Sequence, residues 1–221
     1  MKFLIHACPQ RMWYVEEFLV PSLKAQGAEN VEVWSDTEKK GNLRACMESF
    51  AARIGDEGTW HLQDDVIICR DFVERCREHD EGVVFGFCCR NFGDRLDAYG
   101  EVYVPDAWNS FQCVRIPDPW ARECAEWVLS KAWDDEPTSL ELPILWKLGK
   151  GDDTFFHEFM QMRHGTETAE NLKPNLVDHI DHLIGGSSIQ HWRDYLARSE
   201  YWDDYELINE LKEGINRRNG R

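Results

Sequence analysis

Thr59-Trp60-His61-Leu62-Gln63-Asp64-Asp65-Val66-Ile67-Ile68 is a short apolar strand that runs into two adjacent carboxylates and is followed at once by a second apolar segment. Two acids at the mouth of a buried strand cost free energy unless something cationic or water-rich receives them. A divalent cation carrying a diphosphate would receive both, because Mg²⁺ takes one or two carboxylates together with substrate phosphates. A solvated turn between strands is the plain alternative for Asp64 and Asp65.

Working outward, Lys2 to Cys8 is a buried-type strand ended by Pro9, and Val31 to Trp34 is a second strand ending at Ser35-Asp36. Between them, Trp13, Val15, Phe18, Leu19 and Leu23 fall at helical spacing, with Pro21 a possible interruption. Leu43, Cys46, Met47, Phe50 and Ile54 repeat the pattern, and Asn42 is in position to cap that helix. Asp71 to His79 reads as a short helix and Gly82 to Phe87 as a fourth strand. Strand and helix alternate, so the class is α/β with a mostly parallel sheet and right-handed crossovers. Ligands of such sheets gather beyond the carboxyl ends of the strands, where Cys8-Pro9, Ser35-Asp36 and Gln63-Asp64-Asp65 would meet.

Later, Tyr99 to Val104 and Phe111 to Ile116 are candidate strands, and Pro119 to Trp133, Leu140 to Leu148 and a segment opening at Gly151-Asp152-Asp153 are candidate helices. Asp152 and Asp153 suit a helix start as caps and dipole partners, or one of them serves as a general base. Asn175 to His182 is dense in metal-ligand types; Pro174 before it and Gly185-Gly186 after it favour a strand over a helix. Gly185-Gly186-Ser187-Ser188 offers amides and hydroxyls suited to phosphate. The end of the chain is amphipathic and helical in pattern, and its short basic tail, Ile215 to Arg221, is expected to be mobile.

The 221 residues suffice for one substantial core. With 43% hydrophobic residues the chain is expected to fold, and a formal charge of -16 disfavours broad non-specific binding to nucleic acid. The ten tryptophans serve packing or the stacking of sugars or bases. None of the eight cysteines forms a Cys-x-x-Cys pair, so a structural zinc site has no spacing signal. With no leader visible, reduced thiols in a cytoplasm are expected, and no apolar run is long enough to span a bilayer.

In that order, Cys8-Pro9, Trp34-Ser35-Asp36, Gly41-Asn42-Leu43-Arg44, Gln63-Asp64-Asp65-Val66, Gly151-Asp152-Asp153 and Pro174 to Ile180 resemble a small GT-A-type glycosyltransferase of the bacteriophage or prophage kind. The resemblance spans roughly residues 1–190, with 191–221 a helical appendage packed on the same domain. It implies transfer of a sugar from a nucleotide-diphosphate sugar, a UDP-sugar above all, to an acceptor hydroxyl in the cytoplasm of a bacterial or phage-infected cell. Pro9, Arg11, Asp36, Asn42, Arg44, Gln63, Asp64 and Trp108-Asn109-Ser110 would bind the donor, with Asp36 at the base, Asp64 near the ribose and Trp108-Asn109-Ser110 at the sugar. Asp65 and His179 would hold Mn²⁺ or Mg²⁺, and Asp153 or Asp152 would take the acceptor proton. Gln63 stands where the family's Asp-x-Asp motif has its first acid. The acceptor is a glycan, a small molecule or a hydroxymethylpyrimidine in phage DNA. The DNA option calls for a basic cluster drawn from Arg90, Arg95, Arg115, Lys147 and Lys150. A metal-dependent phosphohydrolase or nuclease, and a carbohydrate-binding module without catalysis, are the alternatives.

Overall fold

The computed structural model describes residues 1–86, 111–130, 152–165, 169–172, 176–180, 184 and 205–218. Its main sheet comprises β1 (Lys2–Ala7), β2 (Asn30–Ser35), β3 (Gly58–Gln63), β5 (Val83–Phe85), β6 (Cys113–Pro117) and β7 (Ala169–Asn171), in the order β2-β1-β3-β6-β5-β7. β2, β1 and β3 are mutually parallel, β6 is antiparallel to both β3 and β5, and β7 is parallel to β5. Every strand but β6 therefore shares one direction. The α/β class and the mostly parallel sheet expected of a GT-A-like chain are both present. A separate two-stranded ribbon joins β4 (Val66–Ile68) to β8 (Val177–His179).

Register determines what each face of the sheet carries. Phe3 pairs with Trp60 and Ile5 with Leu62, so these four point to one face. There they pack against Tyr14, Val15, Leu19 and Leu23 of the first helical run and against Phe72 and Cys76 of α4 (Phe72–Glu78). Fully burying a side chain such as Phe3 or Leu62 contributes about 1.5–3 kcal/mol. Leu4 pairs with His61 and His6 with Gln63 on the opposite face. That side is covered by α3 (Asn42–Ala51), α5 (Asp118–Leu129) and α6 (Asp152–Arg163), whose Phe50, Cys124, Phe156 and Phe159 form a second core with Val114 and Ile116.

The first helical run absorbs Pro21 without breaking. It passes from a 3-10 turn (Pro9–Arg11) through α1 (Met12–Tyr14) and a π segment (Val15–Leu19) into α2 (Val20–Ala25). Proline in a helix interior removes one donor and crowds the carbonyl four residues earlier. The wider turn just before it, in which Val20 N–H donates to Val15 O, relieves that crowding.

One expectation changes in the structure, and two features add to what the sequence suggested. Asn42 is not the cap of α3; Gly41 occupies that position with φ 90°, and the Asn42 side chain reaches Asp152 instead. β7 has no counterpart in the sequence reading, because Ala-Glu-Asn has neither an apolar run nor alternation. The basic tail is helical as far as Arg218 in α7 (Tyr205–Arg218), which sends Leu211 into the first core and lays Gly214 against the Phe18 ring. Tyr99 to Val104, Leu140 to Leu148 and the boundary near residue 190 lie outside the described residues.

The Arg115 side chain packs over the start of β3. Its guanidinium covers Gly58 where a β-carbon would stand, and it bonds Asp80 Oδ1 at 2.7 Å and Gly82 O at 2.6 Å. Gly58→Ala should therefore push the guanidinium off Asp80 and destabilise the fold by about 1–3 kcal/mol, read as a lower urea midpoint at constant m.

Candidate functional site

The parallel register of β1, β2 and β3 brings Cys8, Asp36 and Gln63-Asp64-Asp65 to one edge of the sheet, because Ala7 pairs with Ser35 and His6 with Gln63. Both acids are buried there, Asp64 at 5% and Asp65 at 4% exposure. Arg11, itself buried, receives them: its Nη1 lies 2.8 Å from Asp64 Oδ1 and 2.7 Å from Asp65 Oδ2. The Cys8 backbone N–H donates to Asp64 Oδ2 at 2.6 Å. Burial and the neighbouring Asp65 raise the Asp64 pKa, while Arg11 and the Cys8 amide oppose that rise. Burial alone would lower the Arg11 pKa, but Asp65 and Asp64 raise it, so the guanidinium stays charged.

His179 reaches this edge through the ribbon rather than the main sheet. Val66 pairs with His179, and Ile180 N–H donates to Asp65 O at 2.8 Å. His179 Nε2 then lies 3.0 Å from Asp65 Oδ2. Two donor atoms about 2.1 Å from an octahedral cation and at right angles are separated by about 3.0 Å. A carboxylate oxygen has two lone pairs, so Asp65 Oδ2 accommodates both Arg11 and a cation. The spacing suits a shared cation as well as the direct ion pair seen here.

Asp36 uses both carboxylate oxygens on its own loop, accepting Lys40 N–H at 2.8 Å and Gly41 N–H at 2.9 Å. Pro9 is exposed at the start of the 3-10 turn. Arg44 lies on the exposed side of α3, 3.3 Å from Glu48. Asn42 Nδ2 and Gln63 Nε2 both donate to Asp152, at 2.9 Å and 3.3 Å. Asp152 is 2% exposed, whereas Asp153 is half-buried. Asp152 has its pKa raised to about 7, by burial first and by Asp153 second.

No protein-family model matches the chain, and no curated protein does. Among solved structures it is similar to the galactosyltransferase LgtC in complex with donor and acceptor sugar analogs, at 14% identity and a TM-score of 0.48, over 97% of this chain and 96% of that one. It is also similar to residues 1-349 of S. aureus TarS, at 12% identity and a TM-score of 0.45, over 80% of this chain. The chain spans 59% of that TarS fragment. A putative glucose-1-phosphate thymidylyltransferase from Bacillus anthracis matches at 11% identity and a TM-score of 0.37, over 78% of this chain and 87% of that one. All three likenesses are distant.

Three side chains that no motif singled out stand directly beneath the edge. His6, Cys46 and His61 come together with Asp152, each contributing a donor atom within 4.8 Å of the others. Burial lowers the His6 pKa to about 4 against the pull of Asp36 and Asp65, and it lowers that of His61 as well. Burial likewise pushes the Cys46 thiol up. The available signal was a histidine inside each of two otherwise apolar strands, at positions that register places on one face.

Arg115, named for a nucleic-acid groove, lies at the opposite end of β3 from Asp64, paired in register with Trp60. Its place there removes it from any such groove beside the site. Arg90, Arg95, Lys147, Lys150, Trp108-Asn109-Ser110, Asp181, His182 and Gly185 to Ser188 lie outside the described residues, as do Cys88 and Cys89. The six described cysteines are free thiols. Among the described residues no helix is long and apolar enough to cross a membrane.

Proposed function

We propose that this chain is a glycosyltransferase that moves a sugar from a nucleoside-diphosphate sugar to an acceptor hydroxyl. The observation that carries the proposal is the convergence of Asp64, Asp65 and His179 at the carboxyl edge of the sheet, around a buried arginine. Such an edge is where doubly wound sheets receive nucleotides. A UDP-sugar is the donor best matched to the motif order, with Asp36 at the base, Asp64 near the ribose, and Asn42, Arg44 and Pro9 around the nucleoside and diphosphate; Arg11, expected among them, is buried beneath the acids and acts through them instead.

Asp65 and His179 are assigned to hold Mn²⁺ or Mg²⁺. When bound, the cation offsets the negative charge that develops on the departing nucleoside diphosphate. The chain's own contributions are positional. Arg11 fixes both acids from below, and Gln63 and Asn42 fix Asp152 at the start of α6. Asp153, half-buried beside Asp152, is assigned as the base that takes the proton from the acceptor hydroxyl. Trp108-Asn109-Ser110 complete the sugar pocket in this assignment. A glycan or small-molecule acceptor suits the acidic surface; a hydroxymethylpyrimidine in DNA is the alternative acceptor.

A mass-spectrometric screen of nucleotide sugars with Mn²⁺ or Mg²⁺ against glycans and hydroxymethylpyrimidine DNA tests this directly. Transfer to an acceptor supports it. Metal-dependent hydrolysis of nucleotide sugars without transfer overturns it in favour of a phosphohydrolase, and saturable sugar binding without turnover overturns it in favour of a binding module.

A further inference from the structure

The group beneath the catalytic edge has a donor set unlike the oxygen-rich one above it. His6 comes from β1, Cys46 from α3, His61 from β3 and Asp152 from the start of α6, so four separate elements converge on one point. All four are buried, at 5%, 0%, 0% and 2% exposure. Gathering two imidazoles, a thiol and a carboxyl out of water costs free energy unless each is satisfied.

His61 is the member whose bonding is incomplete. Its Nε2 faces Cys46 Sγ across 4.0 Å, a weak contact that leaves this nitrogen available to a cation, whereas Nδ1, the other ring nitrogen, is buried with no hydrogen-bond partner and is not the ligand atom. The ring is held edge-on by Phe50 at 5.3 Å and flanked by Phe111 at 5.7 Å, so its orientation is set by apolar neighbours. Asp152, by contrast, is already oriented by the amides of Asn42 and Gln63. Outer-shell donors of that kind accompany ligating carboxylates.

We propose that His6, Cys46, His61 and Asp152 form a tetrahedral site for one Zn²⁺-class cation, separate from the Asp65–His179 pair. The charge closes: a thiolate and a carboxylate balance the divalent cation, and the two imidazoles bind neutral. Loading releases the thiol proton to solvent, together with the carboxyl proton where one is held. Ligation at bond lengths of about 2.3 Å to sulfur and about 2.0–2.1 Å to nitrogen places sulfur and nitrogen about 3.6 Å apart. The observed 4.0 Å between Cys46 and His61 needs only a small contraction. The mixed sulfur and nitrogen set selects zinc over magnesium or manganese. Four protein ligands leave no open position, so the cation ties β1, β3, α3 and α6 together rather than reacting.

The site is enclosed, so the full chain is to be expressed in medium supplemented with Co²⁺ or Zn²⁺ and purified with its metal. The expected result is near-stoichiometric metal, tetrahedral d–d bands for cobalt, and a thiolate-to-cobalt charge-transfer band. X-ray absorption on the wild-type zinc form should read one sulfur and three nitrogen or oxygen neighbours. Cys46→Ser should abolish the charge-transfer band and lower the tetrahedral cobalt d–d intensity more than tenfold, while Cys124→Ser retains both. Metal well below stoichiometry in folded wild type, a shell without sulfur, or a charge-transfer band that survives Cys46→Ser overturns the proposal. Neither outcome bears on sugar transfer, which is scored separately.

Discussion

Arg11→Ala is expected to lower folding stability by about 3–5 kcal/mol, because removing one partner of a buried ionic group strands the other. Here a single guanidinium nitrogen serves two carboxylates, and all three side chains are under 10% exposed. The alanine variant leaves adjacent charges facing one another in a medium that screens them poorly. Urea denaturation reads the loss directly. Adding Asp64→Asn to Arg11→Ala should restore about 1–3 kcal/mol, the coupling expected of groups in one ion-pair network. A loss below about 1 kcal/mol, with no recovery in the double variant, would mean that water rather than Arg11 receives the acids.

Asp65→Asn is expected to reduce kcat/KM for sugar transfer by at least about 100-fold, and to remove the metal dependence of donor binding. The size follows from the several kcal/mol that a Lewis acid supplies at a leaving phosphate, at about 1.36 kcal/mol per tenfold. Asparagine keeps the shape but offers no anionic oxygen to a cation. Arg11 retains Asp64, so the variant should stay folded and the loss be one of function. Wild-type enzyme treated with EDTA should fall to the same floor. Turnover that EDTA leaves untouched would remove the cation from the assignment of Asp65 and His179.

The fold was legible where the chain states its own period. The β-α alternation of the first 86 residues shows as apolar runs and helical spacing, and the common edge of Cys8, Asp36 and Asp64-Asp65 follows from parallel strands alone. Asp71 to His79 and the helix opened by Asp152 were legible for the same reason. The strand at His179 was readable from Pro174 and the glycines that flank it, but its pairing with β4 was not, since register between distant strands leaves no local mark. Arg11 falls among helical residues, where a basic side chain ordinarily faces water. Nothing near it in sequence announces that it turns inward to two acids more than 50 positions away. His6 and His61 posed the converse problem. Each is a single polar letter in an apolar strand, and only the alignment of β1 with β3 makes them a pair.

The ribbon between β4 and β8 also imposes an order in time. Arg11 and both acids all lie in the first third of the chain, whereas His179 follows only after most of the remainder has been made. During that interval the guanidinium can already bond both acids and offset one of their two charges, before the ribbon closes. Domains fold as units during synthesis, amino-terminal parts first. His179 is therefore the last of these side chains to arrive, and a chain released before Val177 would hold Arg11 and both acids without it.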